Sequence, residues 1–148
     1  MQIKPLLSIE PLKQVLSACE LPVADLDALP QAKFFCGMAQ GSLVAVAGIE
    51  LYDEVALLRS LAVLPPYRHT GIGSELVDYL ESFATQQGVA QMYLLTTTAE
   101  AYFRRRGYDA MTRHQAPSAI QATSQFSALC PASSTLLIKQ LRANPDRP

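Results

Sequence analysis

The chain has no tryptophan, three cysteines, two histidines and a charged fraction of only 17% in 148 residues. Each shortage excludes something. Cys19, Cys36 and Cys130 are odd in number and widely spaced. They outline neither a disulfide framework nor a Cys-x-x-Cys or Cys/His zinc site, so no metal is expected and a reducing, cytoplasmic setting fits. A net charge of −1 gives no basic surface for nucleic acid. No apolar run reaches the ~18 residues that a membrane-spanning helix needs. Pro5 interrupts the short apolar start, which argues against a secretory leader. Repeats and low-complexity linkers are absent too. What remains is a chain whose 49% apolar content supports one folded domain, expected over 1–142, with a frayed tail at 143–148.

One stretch carries the organisation. Residues 57–88 read LLRSLAVLPPYRHTGIGSELVDYLESFATQQG. Residues 55–64 are apolar apart from Arg59 and Ser60 and contain no turn former, which suits a buried strand. Pro65 and Pro66 end it, because neither can donate to a ladder. From Ile72 the apolar period becomes helical, with Ile72, Leu76, Val77, Leu80, Phe83 and Ala84 on one stripe. Between strand and helix stand Arg68, Gly71 and Gly73, spaced Arg-x-x-Gly-x-Gly. Such a turn presents backbone N–H groups and the positive end of a helix to an anion. Neither the Gly-x-Gly-x-x-Gly of dinucleotide folds nor the Gly-x-x-x-x-Gly-Lys-Ser/Thr of nucleotide loops is present. A plain connecting loop and a different kind of pyrophosphate cradle both remain open at this point.

The run LAVLPPYRHTGIGSELV resembles the acyl-CoA-binding motif of the GNAT superfamily of N-acetyltransferases, which shows Arg/Gln-x-x-Gly-x-Gly/Ala after an apolar strand. Gly107-Tyr108 matches the family's later Gly-Phe/Tyr, and the likeness covers nearly the whole chain. ALLRSLAV, YLLTTTAEAYFRRRGY and TSQFSALCPASS look like the arsenic-resistance type of N-acetyltransferase-like proteins. The resemblance implies a mixed α/β sheet that splays at its centre and is flanked by helices, with acetyl-CoA as co-substrate. It implies that the amides from His69 to Ser74 (His69, Thr70, Gly71, Ile72, Gly73, Ser74), behind Arg68, hold the pyrophosphate. It further implies that the backbone of Leu61, Ala62 and Val63 pairs with the pantetheine arm like an added strand. Thr96 and Thr97 stand where the family often has Asn at the end of the next strand, which makes Thr96 a cofactor-side candidate.

The remaining elements follow from pattern. A strand is expected within 1–7. A helix follows, capped by Ser8 with Glu10 and Pro11 in its first turn, and stops near Pro22; 22–30 suits a second short helix. Strands at 33–39 and 43–51 flank a turn at Gln40-Gly41-Ser42. Another turn at Tyr52-Asp53-Glu54 leads into the central strand. Then come a helix closed by Gly88, a strand at 92–97, a helix at 99–105 ending at Gly107, a strand at 108–113, a helical or irregular cover at 117–129, and a last strand at 134–141. Helical crossovers make the sheet parallel where they occur.

Chemistry falls to few side chains. Glu50 follows the apolar run Ala45-Val46-Ala47-Gly48-Ile49, where a carboxylate is costly unless it faces a cleft. It is the candidate general base or amine anchor, with an ordinary exposed strand end as the alternative. Arg59 either pairs with Glu50 or reaches an anionic group of the acceptor; Ser60 faces the other side of the sheet if the strand is regular. Gln125 and Phe126 are candidates to line the acceptor pocket. Cys130 reads as a small core residue and His114 as a surface one. The acid step departs from the resemblance. Where many family members carry a tyrosine that protonates the thiolate, this chain has Phe103, and Tyr102 is turned about 100° away on a helix. The expected partner is a small amine of amino-acid type, an arsenical among the candidates, taken up without a covalent acyl-enzyme. Acetylation of a protein N-terminus or lysine and a non-catalytic acyl-CoA-binding module are the alternatives. Pairing of two copies stays open.

Overall fold

Gln40 and Gly41 carry φ angles of 52° and 80°. Two successive left-handed residues are the mark of a type I′ turn, whose twist matches that of the strands it joins, and Ala39 pairs with Ser42 across it. The hairpin expected there is present, and it starts a sheet. The computed structural model of the chain describes residues 2–21, 23, 32–129 and 133–141. Its strands are β1 (Gln2–Pro5), β2 (Ala32–Ala39), β3 (Ser42–Tyr52), β4 (Val55–Val63), β5 (Gln91–Thr96), β6 (Asp109–Met111) and β7 (Thr135–Gln140). The helices are α1 (Ile9–Ala18), α2 (Ile72–Gln86), α3 (Glu100–Arg105) and α4 (Ser118–Gln121). The sheet runs β1-β2-β3-β4-β5-β7-β6 and is mostly antiparallel. The crossover through α2 makes β4 and β5 parallel, and their ladder covers only Val55↔Gln91 to Leu57↔Tyr93, although β4 continues to Val63 and β5 to Thr96. The fold is thus the mixed, helix-flanked α/β sheet that the resemblance implied. Pro5 sits in β1, at the sheet's edge, where a missing N–H is tolerated.

The chain divides into two units, and β3, β4 and α2 pass through both. The first comprises residues 1–50 and 58–83. Its core joins Leu12, Val15 and Leu16 of α1 to Cys36, Val46 and Ala62. On α2, Ile72, Leu76, Val77 and Leu80 are buried as the helical stripe required; each such side chain contributes about 2 kcal/mol by leaving water. Phe35 packs edge-on against both Tyr79 and Phe83 at 5.2 Å. The second unit comprises 51–57 and 84–148, with a core of Leu57, Tyr93, Ala116, Ile120 and Leu136.

Three local expectations change. Ser8 has the extended N-cap backbone of α1, but its hydroxyl makes no capping hydrogen bond. The helix ends at Ala18, short of Pro22, because Glu20 turns left-handed at φ 61° and Leu21 N–H bonds back to Leu16 O at 2.8 Å. The strand expected at 108–113 keeps only Asp109–Met111, since Arg113–Gln115 winds into a 3-10 turn. The cover at 117–129 is α4 followed by a π-helical turn, Gln125–Leu129. The short helix expected at 22–30, Cys130 and the tail at 143–148 lie outside the described residues.

Candidate functional site

In the first unit, the end of β4 and the start of α2 are joined by a tightly wound connection. Pro65–Tyr67 forms a 3-10 turn, with Tyr67 N–H on Leu64 O at 2.9 Å and Arg68 N–H on Pro65 O at 3.2 Å. His69 and Gly71 both adopt left-handed φ, 64° and 87°, and the Thr70 hydroxyl donates to Tyr67 O. Gly71 needs its missing Cβ for that φ. The helical ladder then opens with Glu75 N–H on Gly71 O at 3.0 Å. First-turn amides have no intrahelical acceptor of their own and carry about half a positive charge between them. Arg68 to Thr70, and Gly71, are exposed. The arrangement is an amide cradle at the head of a 15-residue helix.

The Arg68 side chain does not extend into that cradle. Its Nε donates to Val63 O at 2.9 Å and its Nη2 to Cys19 Sγ at 3.7 Å, while the Cys19 thiol also donates to Val63 O at 3.8 Å. The turn is therefore tied back to the end of β4 and to the cap of α1. Gly73 lies close by: a Cβ there would meet Val63 Cγ2 at 3.6 Å, an ordinary van der Waals distance.

Three residues before the Asp53-Glu54 turn that joins β3 to β4, Glu50 is buried, and so is Arg59. Arg59 Nη1 donates to Glu50 Oε2 at 2.8 Å, with side-chain exposures of 0% and 1%. The pairing expected as one option for Arg59 is thus present, and Glu50 is not an exposed strand end. Arg59 Nε donates to Ser60 Oγ at 3.1 Å, and its guanidinium lies 6.0 Å over the Phe34 ring. Gly48 makes room for that ring, since a Cβ there would fall 2.5 Å from Phe34 Cε1. The strand is not regular at this point. Ser60 has φ 57°, so the expectation that it simply faces the opposite side from Arg59 does not hold.

The first unit therefore brings together Glu50, Arg59, Leu61, Ala62, Val63 and the turn from Arg68 to Ser74. Thr96, Gln125 and Phe126 belong to the second unit. Thr96 Oγ1 accepts from the N–H groups of Thr98 (3.3 Å) and Ala99 (3.0 Å), which shapes the entry to α3. Gln125 is buried. Phe126 is held through its N–H to Thr123 Oγ1 and its carbonyl from Arg113 Nη2 at 3.1 Å, with the Arg113 guanidinium 4.5 Å over its ring. Phe103 is buried with its ring edge-on to Tyr102 at 5.0 Å and to Tyr108 at 5.5 Å. His114 is exposed.

Sequence reasoning missed the tie of Cys19 to the turn, the left-handed backbone of Ser60 and the contacts of Arg113. Nothing in the sequence joins Cys19 to a turn 49 residues on, and serine is no marker of a left-handed backbone. The isolated Gly48 in an apolar strand was the one usable signal of a close approach. Burial pushes the Cys36 thiol up, opposed by Lys4. The hydrogen bond from Arg104, then that from Thr135, lowers the exposed Glu100 carboxyl. Among the described residues no group of three His, Cys, Asp or Glu is placed to hold a metal ion, and no helix is long and apolar enough to cross a membrane.

Comparison with known proteins gives concordant findings. A family model described as the Acetyltransferase (GNAT) family matches residues 4–108. An amino-acid acetyltransferase of Pseudomonas fluorescens (strain Pf0-1) is 35% identical over 82 residues, 54% of this chain and 19% of that protein. An uncharacterized N-acetyltransferase of Chlorobaculum tepidum is 33% identical over 88 residues, 59% of this chain and 56% of that protein. The chain thus spans about a fifth of the first relative's length and about half of the second's. In fold, the chain is similar to the N-acetylglutamate synthase of Neisseria gonorrhoeae solved with coenzyme A and N-acetyl-glutamate. The TM-score is 0.77 at 18% identity, covering 96% of this chain and 35% of that one.

Proposed function

From the premise that the chain belongs to the GNAT family of acetyltransferases, we propose that it moves the acetyl group of acetyl-CoA directly to the amine of a small, amino-acid-like molecule. The observation that carries this reading is the amide cradle at Arg68–Ser74, set against the end of β4. First-turn amides and a helix dipole suit a pyrophosphate. The backbone of Leu61 to Val63 would take the pantetheine arm as an added strand takes a neighbour. In the transfer, the amine nitrogen bonds to the thioester carbonyl carbon, the C–S bond breaks, the amine loses a proton and the thiolate gains one. Glu50 would receive or orient the amine proton through water, since its carboxylate is closed on Arg59. Thr96 is assigned to the cofactor side, and Gln125 and Phe126 to the acceptor.

An amino-acid acceptor is supported by the names of the relatives, each said of a longer protein. The likeness of ALLRSLAV to arsenic-resistance proteins adds an amino-acid-like arsenical to the candidates. The test is acetyl-CoA-dependent thiol release measured across free amino acids, their amides, an arsenical amino acid and peptides. Turnover confined to free amino acids or the arsenical supports the reading, and turnover confined to peptides replaces it with protein acetylation. One observation favours a second reading, an acyl-CoA-binding module without turnover: Phe103 cannot donate a proton from the position where the family often has tyrosine. Tight CoA binding with no thiol release from any amine would select it.

A further inference from the structure

Neighbouring side chains in a regular strand point to opposite faces, yet Arg59 Nε and Ser60 Oγ are 3.1 Å apart. The left-handed backbone of Ser60, φ 57°, is what makes this possible, by breaking the alternation as a bulge does. Serine resists that conformation because its Cβ crowds the backbone, whereas glycine adopts it freely. Something must hold it. Arg59 is itself held, by Glu50 at 2.8 Å with both side chains buried and by the face of Phe34, and Gly48 leaves the space that Phe34 occupies. The fork of the guanidinium thus spans two partners at fixed positions, the Glu50 carboxylate through Nη1 and the Ser60 hydroxyl through Nε.

We propose that Arg59 is a positioning residue: anchored by Glu50, it holds Ser60 left-handed and so sets the direction in which Leu61 to Val63 present their backbone. This rests on the reading above, in which that backbone receives the pantetheine arm, and it turns Arg59 away from the acceptor. Leu61 follows Ser60 directly, so a change of φ at 60 swings the N–H and C=O groups of the following three residues together. A misplacement of this kind is what a reacting thioester tolerates least.

The test uses the full chain and three variants. Arg59→Lys keeps a positive charge facing Glu50 but replaces the fork with a single ammonium. Ser60→Ala removes the hydroxyl and keeps the Cβ. Arg59→Lys/Ser60→Gly gives up the hold and supplies a residue that needs none. The first two are expected to shift the backbone amide resonances of Leu61 to Val63 and to lower kcat/KM for acetyl-CoA about tenfold. The double variant should restore the resonances and bring kcat/KM to within about twofold of the parent. If Arg59→Lys loses activity and Ser60→Gly recovers none of it, Arg59 acts on the acceptor and the proposal falls. It also falls if the amides of Leu61 to Val63 are unmoved in folded Ser60→Ala, which decides the matter should Arg59→Lys not fold. Resonances that move and return in a protein that binds no coenzyme A would uphold the positioning role and overturn the acetyl-CoA reading instead.

Discussion

Gly73 offers a perturbation in which stability and ligand binding should move in opposite directions. Its φ is outside the left-handed region, and a Cβ would meet only Val63 Cγ2 at 3.6 Å. The folded chain therefore accepts a side chain there. Gly73 is also the second residue of α2. Replacing glycine inside a helix gains up to about 1 kcal/mol in propensity, and an aspartate in the first turn adds about 0.3–1 kcal/mol against the dipole. Gly73→Asp should thus melt at the parent's temperature or a few degrees above it. Its effect on a bound pyrophosphate is the reverse. A carboxylate ~5 Å from a phosphate charge repels it by roughly 3 kcal/mol at an effective dielectric of about 20. A loss of at least ~2 kcal/mol, about thirty-fold in Kd, is expected. Gly73→Ala, without the charge, should lose less and vary little with salt. The assay is calorimetric titration with coenzyme A alongside melting curves with and without it. A folded Gly73→Asp protein with unchanged affinity would refute the cradle as the phosphate site. Gly71 is a poorer choice, because at φ 87° any side chain strains the fold and confounds the reading.

Other outcomes follow from the same geometry. Tyr102→Phe should change turnover less than threefold, because the Tyr102 ring lies against Phe103 and under Arg106; a hundredfold fall, about 2.7 kcal/mol of barrier, would make Tyr102 the acid. Glu50→Gln keeps an acceptor for Arg59 but removes its counter-charge at 2.8 Å, so urea unfolding should show a loss of about 1–3 kcal/mol, and an unchanged midpoint would mean the pair does not hold the strands. If Glu50 also serves the amine, the same variant loses rate most at low pH, where the amine is protonated. Glu100, lowered by the hydrogen bonds from Arg104 and Thr135, contributes stability that is present above the ordinary carboxylate range and lost as pH falls through its depressed value. Glu100→Gln should therefore flatten the acid limb of a stability–pH curve, and an identical limb would remove Glu100 from that dependence. Cys36, raised by burial, should react with a thiol reagent more slowly than the half-exposed Cys19; equal rates in folded protein would contradict its placement in the core.

The sequence displayed what depends on backbone period and turn geometry. The stripe from Ile72 to Leu80 is buried as its spacing requires, because only one face of a helix can meet a sheet. Arg68, Gly71 and Gly73 marked the cradle by their spacing, and of the two glycines it is Gly71, at φ 87°, whose backbone requires the residue. Side-chain partnerships left no such trace. Arg68 could be seen as part of the motif, but its attachment to Val63 O and Cys19 Sγ depends on where α1 ends, and that end was set by Glu20 turning left-handed rather than by Pro22. In the late segment, split into α4 and a π-helical turn, Arg113 bonds both Phe126 O and Ser134, a tertiary constraint outside any local pattern.

Phe103 raises the question of how the leaving thiolate is neutralised. The ring is buried between Tyr102 and Tyr108, so it packs the second unit's helix end and donates nothing. An ordinary thiol has a pKa near 8.5. In solution held at pH 7 a released thiolate is therefore protonated by the acids of the solvent, with a driving force of about 2 kcal/mol. A general acid accelerates C–S cleavage only where that step limits the rate. The amine, in contrast, has to be neutral before it can attack, and a protonated amino-acid amine at pH 7 is two to three units from that state. The larger barrier thus lies in freeing the amine of its proton, the step proposed for Glu50. If that is so, rate measured against pH should rise with the fraction of neutral amine and level off only above its pKa. A profile that instead falls above pH 8, as loss of a protonated acid requires, would show that some other group in the chain does what Phe103 cannot.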